Sequence, residues 1–500
     1  MQMEGRQPSK RRRRLAAAAY GAALVLLLAS AGFLLFGNLE SAWVEMYDEL
    51  RHAVNAYEMV VNGDYLVNTY FGETDYFNLK PPLSMWAIAL SFKLFGFTLA
   101  AIRLPSALAS LLMLAIGALW LKKNHGSVAS LAFAGSLAAI NVLIAGHYSR
   151  NGDPDALYQL FFTASMLLMF SSDHDFRWFY GSALCFALAF MTKSWHALCI
   201  PAICLLYLAC TGRIRELTWK RALLLLAAGF APVLPWAIAR YMRDGMAFLS
   251  GTVSVDITAR MLSADTEGPL AYFRYLLTDL RFMAGAALCA AAYACFKCAG
   301  EKRRLPAKTR SHAIGCLLWM LVPPILFSFS GFKKFWYIFS SYTALCMLMG
   351  LMLQALWSGC PHGRARLWRG LLTGLAAALC LMGIGADCIT IATAENPHHY
   401  QVAMMETLTR EDYAGTHMYI QYNEMDEAGE ALTDWADEDR FIAELYGGAV
   451  CLPGGRAAFE EDMDGALLLL GNLNQLDVYD ELSGYCIPLY ETRYITIFSN

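Results

Sequence analysis

Eleven stretches of this chain run for about 15 to 23 residues with almost no charge, and that repetition restricts the fold more than any single motif. In the hydrocarbon of a bilayer the backbone finds no water to bond, so a segment crosses only as a helix or within a closed barrel, and a helix needs roughly 20 apolar residues. The stretches lie at 15–37, 103–121, 127–146, 155–171, 178–192, 195–210, 220–240, 278–298, 312–330, 335–357 and 368–390, with a twelfth, short candidate at 82–96. Composition agrees: 57% of the 500 residues are hydrophobic and 16% charged, too few charges to coat a water-facing surface of that size. The expected fold is therefore an all-α polytopic membrane protein of about 11 transmembrane helices.

Charge sets the expected orientation. The net charge of −3 hides a split, because residues 395–500 carry 21 Asp and Glu against four Arg and no Lys. Lys10 to Arg14 precede the first apolar stretch, which reads as a retained anchor rather than a cleaved signal, with the N-terminus cytoplasmic. Basic loops are retained on the cytoplasmic side, which assigns Lys122–Lys123, Arg213–Arg221, Lys297–Arg310 and Arg364–Arg369 there. That parity allows one crossing between the loop 38–81 and Lys122, so residues 82–96 are expected to be a partial or interfacial helix. The connection Asp173–Arg177 carries no charge support for its cytoplasmic placement.

The expected organisation is a membrane domain over 1–394, with outer loops at 38–81 and 241–277, followed by an acidic soluble extracytoplasmic domain over 395–500. In that last part Met418–Gln421, Ala466–Leu470 and Tyr494–Phe498 read as strands and Glu438–Tyr446 as a helix, giving a small α/β domain. The 14 cysteines are mostly scattered through apolar runs, and the lone Cys295-x-x-Cys298 lacks a second pair, which argues against a disulfide scaffold or a zinc site. Pairing of Cys451 with Cys486 in an oxidising compartment stays open.

In the first outer loop, Tyr47–Val61 places Leu50, Ala53, Val54, Tyr57 and Val61 on one helical face, as in a helix lying on the membrane. Asp48 at its start is either an N-cap or a general base held just outside lipid, where desolvation tunes its pKa. Farther on, Pro81-Pro82 stops any helix and leaves Lys80 at headgroup level, snorkelling or clamping a phosphate. Residues 241–277 mix Arg243, Arg260 and Arg274 with Asp256, Asp265 and Glu267 around Gly268-Pro269, either an acceptor-side flap or an ordinary connection.

Six motifs in order then carry a family resemblance: Asp48-Glu49 with Asn62-Gly63-Asp64; Tyr76-Phe77-x-x-Lys80-Pro81-Pro82; Lys93-Leu94-Phe95-Gly96 with Arg103-Leu104-Pro105-Ser106-Ala107; Arg150-Asn151-Gly152-Asp153-Pro154-Asp155; Met191-Thr192-Lys193-Ser194; and Lys333-Lys334-Phe335-Trp336-Tyr337-Ile338. Together they resemble the lipid-carrier-dependent, C-type membrane glycosyltransferases, which include protein O-mannosyltransferases and the lipid A aminoarabinose transferase.

The resemblance implies a C-type glycosyltransferase fold and transfer of a glycosyl group, with inversion, from a polyprenyl-phosphate sugar to a lipid, glycan or protein acceptor. The expected setting is the outer face of a bacterial inner membrane, among membrane lipids and with no nucleic acid. It implies Asp48 as the catalytic carboxylate and Asp155, or its neighbour Asp153, as the second acid. Lys80 is the implied carrier-phosphate ligand, with Glu49, Lys193, Lys333, Lys334 and Tyr337 as further substrate-binding positions. His52, one turn after Asp48, makes a divalent cation an alternative, but no metal site is assigned. Two rivals remain: a transporter or flippase, which calls for ionisable residues near mid-membrane and repeated halves, and a non-catalytic carrier-lipid-binding protein.

Overall fold

The computed structural model describes residues 10–41, 48–140, 148–259, 262–263, 267–298, 304–359, 364–395, 399–408, 413–421, 424–425, 431–432, 437–462, 465–471 and 475–500. The chain is a multi-pass membrane protein, mostly helical. In order the helices are α1 (Lys10–Phe36), α2 (Asp48–Asn62), α3 (Leu83–Phe95), α4 (Leu99–Asn124), α5 (Ser127–Ala139), α6 (Asp155–Ser171) and α7 (Trp178–Lys193). There follow α8 (Cys199–Cys210), α9 (Trp219–Phe230), α10 (Leu234–Asp244), α11 (Met246–Gly251), α12 (Ala271–Thr278), α13 (Leu280–Cys298) and α14 (Ala307–Phe327). The last six are α15 (Phe339–Gly359), α16 (Arg364–Ala392), α17 (His399–Leu408), α18 (Asp437–Gly447), α19 (Gly455–Glu461) and α20 (Leu476–Leu482).

Two compact units emerge, and the division does not fall at a single cut near residue 394. One comprises Met1–Gly37, Asp75–Ser84 and Leu104–Ala392; the other comprises Asn38–Thr74, Met85–Arg103 and Thr393–Asn500.

Among the described residues the chain has seven helical stretches long and apolar enough to cross a membrane, or eight if α9 and α10, bent by 53°, count together. The bend lies where Pro232 and Pro235 remove backbone donors, so the span expected at 220–240 is broken rather than straight. Another of those stretches, Trp178–Cys210, is a hairpin. Ser194 has φ 53° and ψ −132°, and Ser182 Oγ lies 3.6 Å from Cys204 Sγ, 22 residues along. A straight helix would separate those two by about 33 Å. Residues 178–193 and 199–210 are therefore two short antiparallel helices, matching the two stretches read from the sequence. The third expected span is described only to Ile140, since 141–147 lie outside the described residues, as do 299–303 of the basic loop.

Helices of the first unit approach closely where a side chain is missing. A Cβ on Gly350 of α15 would come 2.6 Å from the Ala129 carbonyl of α5, so only glycine permits that contact.

At one end of this unit the connections are tied together by polar contacts. Lys308 donates to Asn124 at 2.8 Å, Arg213 pairs with Asp173 at 2.8 Å, and His125 meets His312 at 2.8 Å. The basic connections at 122–126, 211–218 and 304–310 thus share an end with the 173–177 turn, which has no basic excess of its own, and this is the grouping that charge parity requires. Burial, His312 and Lys308 lower the His125 pKa to about 3, so its ring stays neutral.

The second unit has its own core. The apolar face of α2 is buried there, with Leu50, Ala53, Val54, Ala56 and Met59 each at most 1% exposed. Tyr57 packs edge-on to Phe441 of α18 and donates to the Glu444 carbonyl at 3.2 Å. This corrects the expected membrane-lying helix: its face is covered by protein, and Val61, expected on that face, is 58% exposed. Tyr47, its expected start, lies outside the described residues. Helix α3 has 13 residues. Its Met85, Ile88, Ala89 and Phe92 enter the same core while Leu90, Leu94 and Phe95 are exposed.

The described strands are β1 (Thr69–Tyr70), β2 (Glu73–Thr74), β3 (His417–Gln421), β4 (Glu424–Met425), β5 (Ala431–Leu432), β6 (Val450–Cys451), β7 (Leu467–Gly471), β8 (Ile487–Glu491) and β9 (Ile495–Ser499), and the C-terminal part holds a five-stranded sheet in the order β6-β3-β7-β9-β8. Strands β6, β3 and β7 are parallel, whereas β9 runs antiparallel to β7 and β8. Side chains alternate with period two: Met418, Ile420, Leu467 and Leu469 join the core around α2, while Tyr419, Leu468 and Leu470 form a second cluster with Phe459 and Leu482. Cys451 belongs to the first cluster and Cys486 to the second, so they occupy opposite faces and both are free thiols; the open pairing is overturned.

Candidate active site

The first unit brings together three sequence motifs. Asp155 opens α6 and Lys193 closes α7, and their side chains form an ion pair in which each is 5% exposed. The Lys193 ammonium also lies 5.2 Å from the centroid of Tyr337, from a short 3-10 turn at Phe335–Ile338. Segments 150–157, 191–194 and 333–338 therefore meet at one place.

Local rules explain each placement. Asp153-Pro154 ends the preceding turn, and proline cannot supply a donor, so α6 begins at Asp155. Asn151 Nδ2 donates to the Asp153 carboxylate at 2.9 Å, and Ser106 donates to the Asp153 carbonyl at 3.2 Å. At Lys193 the helix stops because Ser194 takes positive φ.

An aromatic wall adjoins the pair through Tyr337. His196 stands edge-on to Tyr337 at 4.6 Å and tilted to Phe327 at 5.2 Å, and Tyr158 donates to the His196 carbonyl at 3.0 Å. Sequence reasoning misses His196 and Tyr158; a histidine three residues after a motif lysine is the available signal. Lys333 is buried at 6% exposure, while Lys334 is half-buried between Phe332 and Trp336, 5.1 Å and 5.4 Å from their ring centroids.

Lys80 is half-buried and donates to Asn78 Oδ1 at 3.3 Å. The turn before it is built by Asp75, whose carboxylate accepts from the Phe77 and Asn78 amides at 3.0 and 2.9 Å.

In the second unit Asp48 is half-buried at the first position of α2, and Glu49 beside it is 1% exposed, paired with Arg103. The His52 Nδ1 donates to the Asp48 carbonyl at 2.6 Å, a bond internal to the helix. Among the described residues no three His, Cys, Asp or Glu side chains are grouped to hold a metal ion. Arg260 and Asp265 lie outside the described residues, and the side chain of Asp256 is not described.

The class comes from the fold. Over 95% of this chain and 97% of its own, the structure of ArnT from Cupriavidus metallidurans bound to undecaprenyl phosphate superposes with a TM-score of 0.65 at 14% identity. The apo form of that protein gives 0.63 at 16%. The chain thus has the fold of that membrane protein.

Sequence relatives narrow the likeness. A family model described as dolichyl-phosphate-mannose-protein mannosyltransferase matches residues 79–238. The undecaprenyl phosphate-alpha-4-amino-4-deoxy-L-arabinose arabinosyl transferase of Aeromonas hydrophila is 27% identical over 351 residues, 67% of this chain and 60% of that protein. The enzyme of the same description from Yersinia enterocolitica is 28% identical over 377 residues, 72% and 65% of the two chains. The aligned part thus covers under two thirds of these curated relatives' length. The chain resembles the lipid-carrier-dependent membrane glycosyltransferases, as its six motifs indicate.

Proposed function

We propose that this chain transfers a glycosyl group from a polyprenyl-phosphate-linked sugar to an acceptor at the outer face of a bacterial inner membrane, with its N-terminus cytoplasmic and its C-terminal part extracytoplasmic. The observation that carries the reading is the meeting of Asp155, Lys193 and Tyr337, which belong to three motifs spread along the chain. Undecaprenyl phosphate is the carrier and 4-amino-4-deoxy-L-arabinose the sugar to test first, because the chain is similar to arabinosyl transferases that use them.

The chemistry needs two kinds of group. Breaking the bond from the anomeric carbon to the phosphate oxygen develops positive charge on the sugar and negative charge on the departing phosphate. Lys80, Lys333 and Lys334 stabilise that phosphate, and in a partly dry setting such fixed charge is worth far more than in water. Asp48 removes the acceptor proton as the new bond forms on the opposite face, a contribution typically of about 10²–10⁴ in rate. In-line displacement inverts the anomeric centre. Asp155, rather than Asp153, is the second acid, because it faces Lys193 and the aromatic wall while Asp153 is engaged by Asn151.

The test is transfer of labelled sugar from a synthetic polyprenyl-phosphate donor by the purified full chain. Asp48→Asn is expected to fold normally and lose transfer. Normal turnover by that variant rejects the assignment of Asp48, and binding of donor without sugar release by the wild type favours a non-catalytic carrier-lipid-binding protein.

A further inference from the structure

We infer that Arg103 is the positioning residue for the Asp48 carboxylate, acting through Glu49, and that Glu49 is not a ligand of the sugar donor; this rests on the proposed role of Asp48. The guanidinium of Arg103 makes two parallel bonds to Glu49, Nε to Oε1 at 2.7 Å and Nη2 to Oε2 at 2.9 Å. Its remaining nitrogen, Nη1, donates to the Leu39 carbonyl at 2.6 Å. Both charged side chains are 1% exposed.

The anchoring points bracket the segment that leads into Asp48. Leu39 lies before it and Glu49 immediately after it, and one planar, rigid group grips both. The backbone on either side is thus fixed to the start of α4. The next turn is fixed as well, since Leu50, Ala53 and Val54 are fully buried and His52 closes onto the Asp48 carbonyl at 2.6 Å. Neighbouring helical side chains diverge by about 100°, so Glu49 points into the core while Asp48 remains half-buried. Glu49 thus has both oxygens bonded to Arg103 inside a closed core. Lysine cannot reproduce this arrangement, because an ammonium is a point charge without the bidentate fork.

A base must sit within hydrogen-bond reach of the proton it removes, and a displacement of about 1 Å can cost about 10² in rate. In the full-length protein, Arg103→Lys is therefore expected to lower kcat by about 10- to 100-fold, with KM for the polyprenyl-phosphate donor unchanged. Glu49→Gln keeps the shape and supplies the same readout should the lysine variant fail to fold. A second measurement separates positioning from general support. In an Asp48→Glu background, where the carboxylate is already displaced by one methylene, Arg103→Lys is expected to have a much smaller effect on kcat than in the wild type. A purely structural role predicts equal effects in the two backgrounds and overturns the inference. Wild-type kcat in both folded single variants overturns it too, as does a raised donor KM at unchanged kcat, which returns Glu49 to the donor. Normal transfer by Asp48→Asn instead removes the functional reading itself, whereas an inactive Asp48→Asn beside a fully active Arg103→Lys removes only the positioning role.

Discussion

Helix α6 has an aspartate at each end, and the protein treats the two in opposite ways. Asp173, two residues beyond the helix, accepts from Tyr207 at 2.8 Å, Arg213 at 2.8 Å and Ser311 at 3.0 Å, with His312 at 3.4 Å. These donors come from separate helices and connections, so the carboxylate serves as a brace. Asp155, at the first position, is paired with the ammonium of Lys193, which ends a four-carbon stem and leans toward the Tyr337 ring. An ammonium on such a stem can turn from the carboxylate to an incoming anion, whereas a carboxylate held by several fixed donors cannot change partners. The two aspartates thus differ in burial and in the nature of the counter-group, a single mobile ammonium for the more buried Asp155 and several fixed donors for Asp173.

That contrast can be broken by mutation. The largest effect is expected from Lys193→Met, which leaves a buried carboxylate without its cation. Removal of one partner of a buried pair costs about 3–5 kcal/mol, so both thermal stability in detergent and transfer should collapse. Asp155→Asn comes next: transfer is expected to fall by about 10² or more, and because the amide still accepts a hydrogen bond from the buried Lys193 ammonium, stability should fall by less than in Lys193→Met, about 1–3 kcal/mol. A large fall in stability with transfer per folded molecule preserved would make Asp155 a brace like Asp173.

Asp173→Asn should show the reverse pattern. Stability is expected to drop by about 1–3 kcal/mol, and transfer per folded molecule to stay within about two-fold of wild type. The pH dependence sharpens this. Burial alone would raise the Asp173 pKa, but the hydrogen bonds from His312, Tyr207 and Ser311 outweigh it and hold the group below its ordinary 3.8. Because the folded value is depressed, the stabilisation is complete above about pH 4 and is lost as pH falls through the folded pKa. Acid unfolding followed below pH 4 should lose this component in Asp173→Asn. The smallest effect is expected for His125→Gln, about 0.5–1.5 kcal/mol for one hydrogen bond to His312, measurable by the same melts.

Much of the candidate site is legible without any coordinates, for a definite reason. Lysines and acids beside long apolar runs are conspicuous, because a charge there needs a partner or an aqueous outlet. Asp155, Lys193 and Lys334 stand out in this way, and the first two prove to be partners. Arg103 stands in one of the motifs, yet its pairing is hidden there: its partner Glu49 lies 54 residues earlier and reads, by resemblance, as a substrate ligand. A lone arginine at the start of an apolar stretch is the signal that prompts a search for a carboxylate. Helix α2 shows the same limit, since its apolar face is evident but periodicity does not distinguish lipid from a protein core as its cover.

The sequence by itself determined that this chain lies in a membrane, roughly where most of its long apolar helices run, and that the basic connections at 122–126, 211–218 and 304–310 share an end, because hydrophobicity and loop charge act locally. The reversal at Ser194, the burial of α2 in the core that also holds the C-terminal sheet, and the choice of Lys193 for Asp155 and Arg103 for Glu49 were decided only by tertiary structure. Those are pairings between distant segments, and a buried charge or apolar face states that it needs a partner without stating which one.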